Sequence, residues 1–232
     1  ETADVTALEP APANDGIFRV DIDTGQRQLL VSFQQLKNLL QHRHAQIEDV
    51  EFYINHSLSS RRANFVYFYA RGHYAGKSMA VNVPCSITTQ GKNLRAHQFI
   101  GGHPEWDEGS VVIGSRDKRQ VRYDILTSKI IGEIGRRGDF PNPEGDIALG
   151  PHADFLANGY TLNNRKQIRY VVMRRSDLAK VQSTTFSRGP YIRGELRIDP
   201  APRWNRNATQ LLVPGFTADG TRQLHIIHVK QE

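Results

Sequence analysis

Leu196–Val229, LRIDPAPRWNRNATQLLVPGFTADGTRQLHIIHV, divides into three short strands. Pro202-Arg203-Trp204 opens the first, Gln210 to Pro214 forms the second and Gln223 to Val229 the third. Asn205 to Ala208 and Thr217 to Thr221 supply the turns, and Asp-Gly within a turn between apolar runs is a hairpin signal.

The same order of features recurs upstream. His103-Pro104-Glu105-Trp106 is followed by Val111 to Gly114, a charged turn at Arg116 to Arg119, and Val121 to Ile125. Asp146 to Leu149 is followed by a turn at Pro151 to Asp154, then Phe155 to Tyr160 and Ile168 to Met173. All-strand units repeating every ~40–50 residues point to a β-propeller, in which each unit is one blade. An ordinary antiparallel sandwich is the alternative.

Working back to the start, residues 1–15 are rich in Pro, Ala and acid and read as a linker or loose strand. Gly16 to Ser32 alternates on either side of Asp23-Thr24-Gly25, a hairpin. Phe33, Leu36, Leu39 and Leu40 have helical spacing, which predicts a short helix over Phe33 to Gln46 with His42 and His44 at its end. Glu48 to Ile100 reads as a longer blade, with a glycine-flanked loop Arg71-Gly72-His73-Tyr74-Ala75-Gly76 after its second strand. Blades are expected near 16–46, 47–100, 101–140, 141–190 and 191–232. Closure of a propeller removes sheet edges, yet the last blade has no fourth strand. The expectation is therefore an all-β chain covering the C-terminal four to five blades of one propeller, seven-bladed when complete. The remaining blades would come from an N-terminal segment or a second chain.

The composition narrows the partners. Thirty Lys and Arg against 24 Asp and Glu give a net charge of +6, which favours a polyanion. The strands lack the aromatic-and-basic interleaving of a base-stacking platform, which argues against nucleic acid. One cysteine, Cys85, excludes an internal disulfide framework. Cys85 with His97 would be the residues to contribute to a zinc site, but no paired cysteine spacing accompanies them. No apolar run is long enough to span a membrane.

Gly102-His103-Pro104-Glu105-Trp106, Arg197-x-Asp199-x-x-Pro202-Arg203-Trp204, Gly220-Thr221-Arg222-Gln223 and Gly16 to Gly25 resemble the blade motifs of propeller polysaccharide lyases, the oligogalacturonate lyases and ulvan lyases. The likeness runs over most of residues 16–229. Such families carry His before the Pro-x-aromatic element in several blades; here only His103 keeps it, and Asp146 and Ala201 hold the matching positions. The resemblance implies a secreted or periplasmic enzyme that cleaves an acidic, uronate-containing glycan by β-elimination. Any site metal, zinc or calcium, is left open. A non-catalytic, TolB-like propeller binding glycan or protein is the alternative.

β-Elimination sets its own demands. The uronate carboxylate must be neutralised before the adjacent proton can leave, and the planar fork of Arg suits this. A His or Tyr must take the proton and another group must protonate the leaving oxygen. Blade-edge positions supply His73, His103, Tyr160 and Arg71 as candidate catalytic residues, and Tyr74, Arg116 and Arg203 as candidate substrate contacts.

Overall fold

The computed structural model describes residues 9–44, 47–74 and 79–230. The chain divides into two compact units, Glu1–Phe99 and Ile100–Glu232.

The first unit opens with the expected hairpin, Gly16–Val20 (β1) and Arg27–Ser32 (β2). Its turn is held by Asp21, whose carboxylate accepts from the Thr24 amide and hydroxyl, each at 2.8 Å. Phe33–Leu40 (α1) follows at once. Ser32 caps it by accepting from the Gln35 amide while the Gln35 side chain accepts from the Ser32 amide, a reciprocal capping box. The helix stops six residues before the expected Gln46. The Arg43 amide donates to the Leu40 carbonyl, which turns the chain away, so His42 and His44 lie beyond the helix.

A four-stranded antiparallel sheet completes this unit: Val50–Ser59 (β3), Phe65–Tyr74 (β4), Met79–Thr88 (β5) and Arg95–Ala96 (β6), in sequence order. A 3-10 turn, Ile47–Asp49, leads into β3. Strand alternation separates the two faces. Val50, Phe68, Ala70, Val81, Val83, Cys85 and Ile87 form one face and pack with Leu36 and Leu40 of α1. Tyr53, Tyr69, Arg71 and His73 lie on the other.

The expected loop over residues 71–76 is corrected. Arg71 to Tyr74 extend β4, paired with Tyr53 to Val50 on one side and, through His73, with β5 on the other. Ladder hydrogen bonds on both sides hold this stretch extended in spite of its glycine. Ala75 and Gly76 lie outside the described residues.

The second unit contains three antiparallel sheets. Gly101–Trp106 (β7), Val111–Arg116 (β8), Arg119–Asp124 (β9) and Lys129–Ile134 (β10) make the first. Ile147–Leu149 (β11), Phe155–Leu162 (β12), Gln167–Arg174 (β13) and Lys180–Gln182 (β14) make the second. Phe186–Ser187 (β15) links β13 to the third, formed by Arg203–Trp204 (β16), Gln210–Phe216 (β17) and Arg222–His228 (β18). The outer strands β10 and β14 are not legible in the sequence. They sit at sheet edges and are largely exposed, so no burial pattern marks them.

These sheets stack face to face, as blades do. Leu156 and Tyr160 of β12 pack with Ile113, Ile134, Val171 and Met173 on one side. Ala157, Ile168, Tyr170 and Val172 pack with Ile198, Leu211 and Val213 on the other. Each fully buried apolar side chain in these layers contributes roughly 1.5–3 kcal/mol. Trp106 is buried, and Trp204 donates to the Ala148 carbonyl at 3.0 Å while packing near Phe155.

Gly159 sets how closely the last two sheets approach. A Cβ there would lie 1.9 Å from the Pro200 carbonyl oxygen, a backbone atom that cannot step aside. Gly159→Ala is expected to destabilise the unit by about 1–3 kcal/mol, measured by urea denaturation. A change within 0.5 kcal/mol would mean that the 198–201 segment moves freely.

Candidate functional site

The polar face of the β3–β6 sheet gathers the first group of candidates. Tyr53, Arg71 and Asn82 stand opposite one another on β3, β4 and β5. Arg71 Nε donates to Asn82 Oδ1 at 3.1 Å, and its guanidinium lies 5.3 Å from the centre of the Tyr69 ring. That hydrogen bond and the ring fix the long side chain along the sheet. His73, two residues further on, stacks on Tyr53 with ring centres 5.3 Å apart and planes 13° apart. Arg71, His73 and Tyr53 are all half-buried. Burial is the main effect on Tyr69 and raises its pKa, opposed by a hydrogen bond with Tyr67 and the charge of Arg71; its hydroxyl stays protonated. Tyr74 is not part of this group. Alternation turns it to the opposite face, against the apolar core.

His103 and Asp146 form a second group, in the other unit. The two residues bridge in parallel, which sets the inner ends of β7 and β11 side by side. His103 Nδ1 lies 3.5 Å from Asp146 Oδ1. Asn158, fully buried on β12, donates to the Asn142 and Asp146 carbonyls and so fixes the segment that carries Asp146. Tyr160 is 7% exposed and packs among Ile113, Leu156 and Met173. Arg116 is exposed at the end of β8, beside a turn in which Asp117 and Lys118 have left-handed backbones. Arg203 is exposed at the start of β16.

The residues do not fit the proposed zinc pair. Cys85 belongs to the core face of β5 and is fully buried. Its neighbour Ser86 points the other way, and it is Ser86 Oγ that meets His97 Nε2, at 2.8 Å. The two candidate ligands therefore stand on opposite faces of one sheet. Burial pushes the Cys85 thiol up to about 12 and His97 down to about 4, the latter helped by Arg95 and Arg43. Cys85 is expected to resist alkylation in the folded protein at neutral pH and to react once urea unfolds it, read by mass spectrometry. Modification at the same rate in both states would show that this core opens. Among the described residues no three His, Cys, Asp or Glu side chains converge as a metal site requires.

Three members of the constellations are not legible in the sequence as site residues: Tyr53, Asn82 and Asp146. Counting outward from the β3–β4 hairpin would have placed Ile54, not Tyr53, opposite Arg71. The bulge between Asn55 and Leu58 shifts that count.

Stacked antiparallel sheets with adjoining inner strands define a β-propeller, and solved structures agree. An oligogalacturonate lyase in complex with manganese has 12% identity and a TM-score of 0.56, covering 92% of this chain and 54% of its own. An oligogalacturonate lyase from Vibrio parahaemolyticus has 14% identity and a TM-score of 0.58, with the same coverage. TolB from Acinetobacter baumannii has 11% identity and a TM-score of 0.55, covering 91% of this chain and 45% of its own. The chain thus spans about half the length of these proteins. No family model matches it, and no curated protein does. Among the described residues, His103 and Asp146 pair at the inner strands without a third His, Cys, Asp or Glu, which does not fit a manganese site. Among the described residues no helix is long and apolar enough to cross a membrane.

Proposed function

We propose that the chain belongs to a polysaccharide lyase that cleaves a uronate-containing glycan by β-elimination. The observation that supports it most is the Arg71–His73–Tyr53 constellation: a guanidinium held at one nitrogen, beside an imidazole and a phenol with no hydrogen bond to other described residues. Arg71 would pair with the uronate carboxylate and lower the cost of negative charge on the adjacent carbon. His73 or Tyr53 would then take the proton from that carbon. Its electron pair forms the C=C bond as the glycosidic C–O bond breaks, and a second group returns a proton to the leaving oxygen. Within the second unit, exposed His103 is a separate candidate for proton transfer; Tyr160, packed in the core, serves the fold in this reading. Arg116 and Arg203 would add positive charge along an anionic chain.

This reading carries two corollaries. The enzyme would be secreted or periplasmic, where such glycans are found. A further blade of the same propeller would cover the outward face of β17–β18, where Leu212, Leu224 and Ile226 are 40%, 64% and 57% exposed.

The test is to incubate the protein with ulvan, pectate, alginate and glycosaminoglycans and to follow the ultraviolet absorbance of the unsaturated uronate. A rise on one of them would establish β-elimination and name the glycan. A folded protein inert on all would favour the second reading, a non-catalytic TolB-like propeller that binds glycan or protein. The aspartate paired to His103, where the lyase motif carries histidine, favours that reading.

A further inference from the structure

Between β13 and the β17–β18 pair, the second unit buries hydrogen-bond donors that meet no acceptor. Arg188, just after β15, is 3% exposed. Its amide donates to the Lys166 carbonyl and its Nη1 to the Arg165 carbonyl, both at 2.9 Å, but its Nε has no partner. Tyr170 of β13 is 1% exposed, and its hydroxyl also has none. The two lie close enough for the charge of Arg188 to act on the phenol. Burial, reinforced by Asp146, raises the Tyr170 pKa far above its ordinary value, so the hydroxyl remains a donor at any working pH.

The charges around them do not balance. The carboxylate that acts most on Arg188 is Asp199, which is already bonded to Arg197 Nε at 2.8 Å and makes no ion pair with Arg188. Arg165 and Arg197 add further positive charge. A buried guanidinium without a paired anion is costly, and two donors without an acceptor add to that cost. An oxyanion resolves both. A surface cleft of about 480 Å³ is lined by Arg197, Asp199, Gly215 and Arg222, and Arg197 and Asp199 are among the charges that act on Arg188. The His225 ring covers Gly215 and packs on Phe186, which packs on Tyr170; His225 Nε2 is likewise buried without a partner.

We infer that Arg188 and Tyr170, with Arg197 at the mouth, bind an oxyanion group of an acidic ligand, such as a sugar carboxylate or sulfate. The site is built within one unit and does not depend on the lyase reading. It is tested by titrating the full chain at low ionic strength with galacturonate, sulfate, phosphate and, as the neutral control, galactose, followed by calorimetry. Saturation by at least one of the three anions is expected, with none by galactose. A response to galacturonate alone assigns a carboxylate; a response to sulfate or phosphate alone assigns a tetrahedral oxyanion. Tyr170→Phe, which keeps the ring and its packing, is expected to weaken binding about tenfold, and Arg188→Lys by at least as much. Should Arg188→Lys fail to fold, Tyr170→Phe decides. No saturation by any anion, or wild-type affinity in Tyr170→Phe, overturns the site.

Discussion

Replacing Asp107 with Ala lowers the unfolding free energy of the second unit by about 3–5 kcal/mol, because it strips the counter-charge from two guanidinium groups. Asp107 directly follows Trp106 and is 1% exposed. Arg122 Nε of β9 donates to its Oδ2 at 2.8 Å. Arg175 donates from Nη1 to Oδ1 at 2.8 Å and from Nη2 to Oδ2 at 3.0 Å, and also from Nη1 to the Ala153 carbonyl. One carboxylate therefore clips the β7–β10 sheet to the β11–β14 sheet. The arginine side chains keep 34% and 22% of their exposure, which places the expectation toward the lower end of that range. Trp106 and Trp204 are the only tryptophans, so fluorescence during urea unfolding reports this unit alone. A loss under 1 kcal/mol would show that the apolar layer, and not the clip, joins the sheets.

The same clip gives a pH dependence. Burial pushes the Asp107 pKa up, but the bonds from Arg175 and Arg122 outweigh it and hold the pKa below the ordinary 3.8. A depressed carboxylate stabilises the fold above its unfolded pKa and loses that contribution as pH falls through its folded pKa. The gap between wild type and Asp107→Ala is therefore full at neutral pH and closes only below the ordinary carboxylate range. A gap that grew on acidification would contradict the assignment.

Arg71→Ala is expected to lower turnover of the uronate glycan by about 10²–10³-fold, the scale of losing one preorganised electrostatic partner. Arg71→Lys restores the charge but not the fork, and should recover only part of the loss. His73→Ala is expected to cost about 10²–10⁴-fold if it carries the proton. Far-ultraviolet circular dichroism should stay unchanged in all three, because none of these side chains belongs to the apolar face of β4. Full activity in both Arg71→Ala and His73→Ala would remove this constellation from the mechanism.

Alternation and turn chemistry are local properties, and they were enough to determine much of this protein from sequence alone. The Asp21–Gly25 turn, the strands from Val111 to Asp124, the long β12–β13 pair and the closing β17–β18 hairpin follow from them, and with them the all-β propeller class. The chain's basic charge follows from composition alone. Register across strands is not local. Whether Arg71 meets Tyr53 and Asn82, whether Tyr74 faces core or site, and whether Cys85 and His97 share a face depend on bulges and on which strands pair. Edge strands such as β10 and β14 carry no burial signal at all. The meeting of His103 with Asp146 and of Asp107 with Arg175 joins residues 43 and 68 positions apart. Only the stacking of one sheet's face on the next could bring those charges together.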